Sequence, residues 1–194
     1  MLLKPLFEPL QTIDQTEYYW FNEAFSDDEL EWINNLKELY PVENAETNGI
    51  SGEKTHKSMI KWINYDNNSS WLYERLSNFT IEANNILWNF NLNGIIDLIQ
   101  YTEYIENVGN YDWHVDIGPY PINHRKISIV TLLSDPNSYE GGDLEIWSGG
   151  KFKTVPRIKG CTVLFPSFLL HRITPITKGV RKSLVLWIGN NNYK

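Results

Sequence analysis

Sulfur is scarce in this chain, with one cysteine and two methionines among 194 residues. A single thiol, Cys161, excludes an intrachain disulfide, so nothing points to an oxidising compartment. Its neighbours Thr162, Val163, Leu164 and Phe165 predict a buried structural thiol. Long apolar runs are missing as well. No stretch approaches the roughly 20 apolar residues of a membrane-spanning helix. The opening MLLKPLFEPL, broken by Pro5 and Pro9, does not read as a secretory signal. Basic charge is in deficit: 17 Lys and Arg stand against 24 Asp and Glu, a net charge of −7. That argues against a broad phosphate-binding surface. Lys151, Lys153, Arg157 and Lys159 lie close together, but they read as the solvated face of a hairpin. The expectation is a soluble cytoplasmic protein with neither a membrane nor a nucleic-acid partner.

What is present suits one domain over residues 1–194. The first part, 1–94, reads as mainly helical support. SDDELEWINNLKELY begins with Ser26 and has Glu29 three residues on, a capping-box pattern. Leu30, Ile33, Leu36 and Leu39 then follow at near-helical spacing. A second helix is predicted from about Ser70 to Trp88, with Leu72, Leu76, Phe79, Ala83 and Ile86 as its buried stripe. Between them ETNGISGEKTHKS, residues 46–58, is polar, holds two glycines and lacks periodicity, so it reads as a loop, a candidate lid over a site. From about residue 95 the pattern turns to short strands. GGDLEIW and KFKTV flank SGG as a hairpin in which glycine supplies positive φ. Helices followed by strands predict an α+β fold, an antiparallel sandwich or barrel braced by helices.

YDWHVDIG, residues 111–118, sets His114 and Asp116 two apart. On a strand, positions i and i+2 share a face, so an imidazole and a carboxylate stand side by side. Two histidines and one carboxylate with open positions suit non-haem Fe(II). The chain has four histidines, at 56, 114, 124 and 171. The pair alone is a weak signal, because His114 reads equally as a partly buried histidine bonded to a neighbour. His171 ends a strand–loop unit, and ten residues later Arg181 begins an apolar strand, with Ser183 on its face. A cation there needs an anion to be buried at low cost. A guanidinium fork fits a carboxylate. Alone, Arg181 beside Lys182 would read as a solvated edge.

Together, His114-x-Asp116, His171 and Arg181 resemble the iron- and 2-oxoglutarate-dependent dioxygenases. Within them the pattern is similar to the prolyl 4-hydroxylase branch, which includes the PKHD-type hydroxylases of bacteria and phages. The resemblance covers about residues 95–194, and LSDPNSYEGGDLEIW and PSFLLHRITPITKG are similar to family segments. It implies a double-stranded β-helix, or jelly-roll, core. It implies Fe(II) on His114, Asp116 and His171, with 2-oxoglutarate and O2 as cosubstrates and ascorbate supporting activity. Arg181 and Ser183 would hold the distal carboxylate, with Tyr104 and Trp187 beside the cosubstrate and Tyr111 and Arg125 toward the substrate. Leu132 stands where some prolyl hydroxylases carry a tyrosine, so Thr131 or Ser183 is expected to substitute. No arginine follows Arg181, unlike the nucleic-acid demethylase branch, and Asp116 is retained, unlike the related halogenases. The expected activity is hydroxylation of a peptide or protein proline. The alternatives are a free amino acid or small metabolite as substrate, or a non-catalytic jelly-roll binding module. A zinc hydrolase would leave Arg181 and Tyr104 unexplained. His56 and His124 are expected to be dispensable for metal binding, with His124 at the surface.

Overall fold

A computed structural model describes residues 17–48, 54–119 and 122–190, with the backbone alone at 46–48 and 54–57. The segment read for a signal, residues 1–10, lies outside them. The chain runs through β1 (Tyr19–Phe21), α1 (Asp27–Leu36), β2 (Glu43–Asn48), β3 (Lys54–Ile63), α2 (Ser70–Leu87) and β4 (Gly94–Ile95). It continues with β5 (Ile99–Ile105), β6 (Asn110–His114), β7 (Arg125–Leu132), β8 (Tyr139–Gly141), β9 (Leu144–Ser148) and β10 (Lys151–Thr154). β11 (Thr162–Pro166), β12 (His171–Ile173) and β13 (Ile176–Gly189) complete it. The described residues are thus mostly β-sheet with two α-helices, and no helix is long and apolar enough to cross a membrane.

Helix α1 starts where the capping box places it. The Ser26 hydroxyl accepts from the Glu29 N–H at 3.3 Å, and the Glu29 carboxylate accepts from the Ser26 N–H at 2.9 Å. Leu30, Ile33 and Leu36 are buried, but Leu39 is 66% exposed. A 3-10 turn over Lys37–Leu39 winds more tightly than α1 and carries Leu39 off the stripe. On α2 the buried face holds Leu72, Tyr73, Leu76, Thr80, Ala83 and Asn84, with Phe79 half-buried. Ile86 is 55% exposed, against expectation. Asn84 turns the last part of that face toward the following chain, donating to the Phe90 carbonyl at 3.0 Å and accepting its N–H at 2.9 Å.

The stretch 46–58 is not mainly a loop. Its ends belong to β2 and β3, which pair from Glu43↔Ile60 to Thr47↔His56, and only 49–53 lie outside the described residues. β3 also pairs with β5 and β6. Those distant partners satisfy the backbone and override a composition that locally favours a loop. Among the described residues, the first 94 therefore supply three strands and the start of a fourth as well as both helices.

The strands join antiparallel in the order β1-β11-β7-β13-β5-β3-β6-β12-β9-β10, with β2 on β3 and with β4 and β8 on β13. Alternation gives this sheet two apolar faces. Ile127, Ile129, Leu164, Leu184 and Leu186 point to the helices and meet Leu30, Ile33, Leu72 and Leu76. Val130, Leu132, Val163, Phe165, Leu144 and Ile146 form a second core on the other face. Each such side chain contributes roughly 1.5–3 kcal/mol by leaving water. The β9–β10 hairpin turns through Gly149 and Gly150, whose φ values of 59° and 83° suit glycine. Lys153 bonds Glu17 and Lys159 bonds Asp27, so the basic group is a partly paired surface, not a patch.

Cys161 is 1% exposed, and burial pushes its thiol up to about 11. A disulfide reagent should leave the native protein unmodified and titrate one thiol per chain after denaturation. Rapid modification of the native protein would contradict this placement.

Candidate active site

His114 ends β6 and His171 begins β12, and the two are register partners across the antiparallel pair. Asp116 lies two residues beyond the end of β6. It is held in a bend by its N–H bond to the Ser167 carbonyl at 2.9 Å, so the carboxylate arrives from the loop and not from the strand. The His114 Nε2 is 3.6 Å from Asp116 Oδ1, and the His171 Nε2 is 3.5 Å from Asp116 Oδ2. Ligand atoms from all three lie within 4.8 Å of one another, the one such cluster among the described residues.

The rings are set to ligate. His114 Nδ1 is 2.7 Å from the Asp112 carbonyl, and His171 Nδ1 is 2.8 Å from the Leu169 carbonyl. A carbonyl only accepts, so each Nδ1 carries the hydrogen and each Nε2 offers its lone pair to the cluster. Asp116 is buried, and its Oδ2 accepts from the Ser128 hydroxyl at 2.6 Å, which in turn meets the Ser167 hydroxyl at 2.9 Å. Burial alone would raise this carboxyl. Positive charge on His171 and His114 when they are protonated, with the Ser128 hydroxyl and the Trp187 indole N–H, outweighs it and holds the group below the ordinary aspartate range. The donor set, two neutral imidazoles and one carboxylate, fits a divalent iron.

Arg181 lies on β13 opposite Tyr104 of β5, with Ser183 opposite Thr102. Alternation turns Arg181, Ser183, Val185 and Trp187 away from the helices and toward the metal-ligand cluster. Arg181 is 3% exposed and donates to the Ser183 hydroxyl at 2.9 Å. Its Nε has no hydrogen-bond partner, and it has no ion-pair partner among the described residues. Burial lowers its proton affinity, opposed by the neighbouring Tyr139 and Tyr104. Gly142 makes room for this side chain: a Cβ there would lie 2.9 Å from Arg181 Cδ, and its φ of +68° also favours glycine. A buried cation without a carboxylate is an anion site in waiting.

One cavity of about 290 Å³ is lined by Tyr104, Tyr111, His114, Asp116, Arg125, His171, Arg181, Ser183 and Trp187, which is every site residue expected from the sequence. Tyr111 stacks on the His114 ring, with centroids 3.4 Å apart and planes 10° apart. Burial drives the Tyr104 hydroxyl well above the usual tyrosine range, so it stays protonated and can donate. The Trp187 indole N–H is buried and helps to hold the Asp116 carboxyl down. His124 is half-buried, not a surface residue, and takes no part in the cluster. The His56 side chain lies outside the described residues. Thr131 does not substitute for the missing tyrosine. Its hydroxyl bonds Thr162 at 2.7 Å, away from the cavity, and Leu132 packs in the second core.

Ile60 and Trp62 of β3, within the stretch 46–66 expected to shape substrate choice, line the cavity, and the sequence reading missed Gln100 of β5 beside them. It missed three further contributors. Ser128 orients Asp116, and Asp97 binds Arg125. Tyr139, buried beside Arg181, brings a hydroxyl from β8. The i, i+2 spacing of Ile60 and Trp62 is a usable signal once β3 is known to be a strand. The others meet the site only through tertiary structure.

Residues 99–189 match the model of the 2OG-Fe(II) oxygenase superfamily. A PKHD-type hydroxylase from Teredinibacter turnerae is 40% identical over 87 residues, covering 42% of this chain. The aligned stretch spans 38% of that relative's length. A Pseudomonas putida prolyl-4-hydroxylase superposes with a TM-score of 0.69 over 91% of this chain and 94% of its own, at 20% identity. The Trichoplax adhaerens prolyl hydroxylase, solved with a hypoxia inducible factor oxygen degradation domain peptide fragment, gives 0.70 over 89% and 83%, at 16% identity. At such identities the likeness concerns the fold. Residues 99–189 of this chain are a 2OG-Fe(II) oxygenase domain, with relatives among the PKHD-type hydroxylases.

Proposed function

We propose that the chain is an Fe(II)- and 2-oxoglutarate-dependent hydroxylase acting on proline in a peptide or protein. The observation that carries it is Arg181: a buried guanidinium with no carboxylate partner, lining the same cavity as a two-histidine, one-carboxylate cluster. His114, Asp116 and His171 would hold the iron through Nε2, a carboxylate oxygen and Nε2. Arg181 and Ser183 would hold the distal carboxylate of 2-oxoglutarate, with Tyr104 and Trp187 as further donors. When bound, iron and 2-oxoglutarate supply the oxidising chemistry. One oxygen atom of O2 enters succinate as carbon dioxide leaves, and the other enters a substrate C–H bond. The chain's own part is orientation and exclusion of water. Trp187 and Tyr111 wall the site, Tyr111 holds the His114 ring by stacking, and Ser128 fixes the Asp116 carboxylate.

The prolyl hydroxylase neighbours support a jelly-roll reading of the sheet and, with one of them solved on a peptide, a peptide substrate. We take residues 1–194 as one domain in which the helices brace the catalytic sheet. Ascorbate would serve by keeping the iron reduced.

Purified protein with Fe(II), ascorbate and 2-oxoglutarate should form succinate in air and not under argon, and Asp116→Ala should form none. Proline peptides should stimulate turnover and gain one oxygen atom by mass. Oxygen-dependent succinate unmoved by peptides but raised by free proline would favour a small-molecule substrate. Arg181→Ala should raise the KM for 2-oxoglutarate roughly 10- to 100-fold, the loss of a charge-assisted hydrogen bond worth about 1.5–3 kcal/mol. An unchanged KM would remove Arg181 from the cosubstrate site.

A further inference from the structure

Arg125 lines the cavity, yet its charge is already spent. Its Nε and NH2 groups both reach Asp97 Oδ2 at 2.8 Å, and its NH1 points to the Asp116 carbonyl at 3.4 Å. Its guanidinium carbon lies over the Trp187 ring, 3.8 Å from the centroid. Its side chain is 12% exposed and that of Asp97 30%. Asp97 is fixed in turn by its neighbour, since the Ile96 N–H donates to the Trp187 carbonyl at 2.9 Å. The other cation lining the cavity is Arg181, and Ile60, Trp62, Gln100 and Tyr111 are uncharged.

This arrangement bears on which substrates enter. An unpaired guanidinium in a half-dry cavity attracts carboxylates strongly. Paired with Asp97, which stands behind it and does not line the cavity, it keeps N–H donors for a neutral carbonyl but presents almost no net charge, and an incoming carboxylate is opposed by the Asp97 charge. Selectivity here would come from a built-in repulsion as much as from attraction. We propose that Asp97 is the charge selector of the substrate mouth. It cancels Arg125, so the mouth takes an uncharged carbonyl-bearing group, as in the interior of a peptide, and turns away a free carboxylate. The inference rests on the cavity reading of the preceding section. Asp97 acts through Arg125, so it is a positioning residue and not a catalytic one.

The test is binding by NMR, read at the Arg125 Nε–H signal, which is assigned by its loss in Arg125→Lys. The probes are N-acetyl-L-proline, with a free carboxylate, and its primary amide. In the native protein the amide should bind at least as tightly as the acid. Asp97→Asn, nearly isosteric, should shift the acid-to-amide affinity ratio about tenfold or more toward the acid. Asp97→Glu should keep the native ratio. A merely structural Asp97 would change both affinities together. Native protein that prefers the acid tenfold would overturn the proposal without any variant. So would an unchanged ratio in Asp97→Asn that retains its melting temperature and its Arg125 signal. If neither proline compound moves Arg125 in any protein, the proline reading fails and isobutyrate decides the rest. A gain of isobutyrate binding in Asp97→Asn keeps the charge selector, and no gain overturns it.

Discussion

The site depends on one register. In the antiparallel pairing of β6 with β12, His171 lies directly opposite His114, so two imidazoles from residues 57 positions apart face one point. A slip of one residue would send one ring to the other side of the sheet. The register is guarded from both sides, because β12 also pairs with β9, where His171 meets Ile146. The Asp116 N–H bond to Ser167 then brings the carboxylate back under the two rings.

The second constraint is charge. The cavity holds buried cations and a buried anion, each of which costs free energy unless matched. Asp116 is matched by hydrogen-bond donors, the Ser128 hydroxyl among them, and Arg125 by Asp97. Arg181 is the exception, with only hydroxyl company from Ser183 and the nearby tyrosines. That imbalance separates a binding cavity from a packed polar core. It also separates the two arginines by surroundings, one without a carboxylate beside it and the other paired with Asp97.

What was legible in the sequence was local or periodic. Arg181 and Ser183 and the Ser26–Glu29 box are relations over two or three residues, and the structure keeps them; His114 and Asp116 also stay together, but through the Asp116 bond to Ser167 and not through strand alternation. What was illegible was nonlocal. Residues 46–58 look like a loop because the partners of β3 lie in β5 and β6. Asp97 and Arg125 are 28 apart, and Ser128 reaches Asp116 across 12 residues. Tyr139 nears Arg181 because β8 pairs with the start of β13, where Tyr139 faces Gly179. No spacing rule finds such contacts. Ile86 and Leu39 failed for another reason: helix ends turn away from the stripe that their middles define.

The central claim is that one register builds a metal site whose cosubstrate completes the charge balance. Anaerobic calorimetry tests it most directly, with Fe(II) added to the metal-free protein and 2-oxoglutarate added before and after. The account predicts one Fe(II) per chain and tight 2-oxoglutarate binding, with a stoichiometry of one, only once the iron is in place. Equal 2-oxoglutarate binding with and without iron, or no retained iron at all, would contradict it.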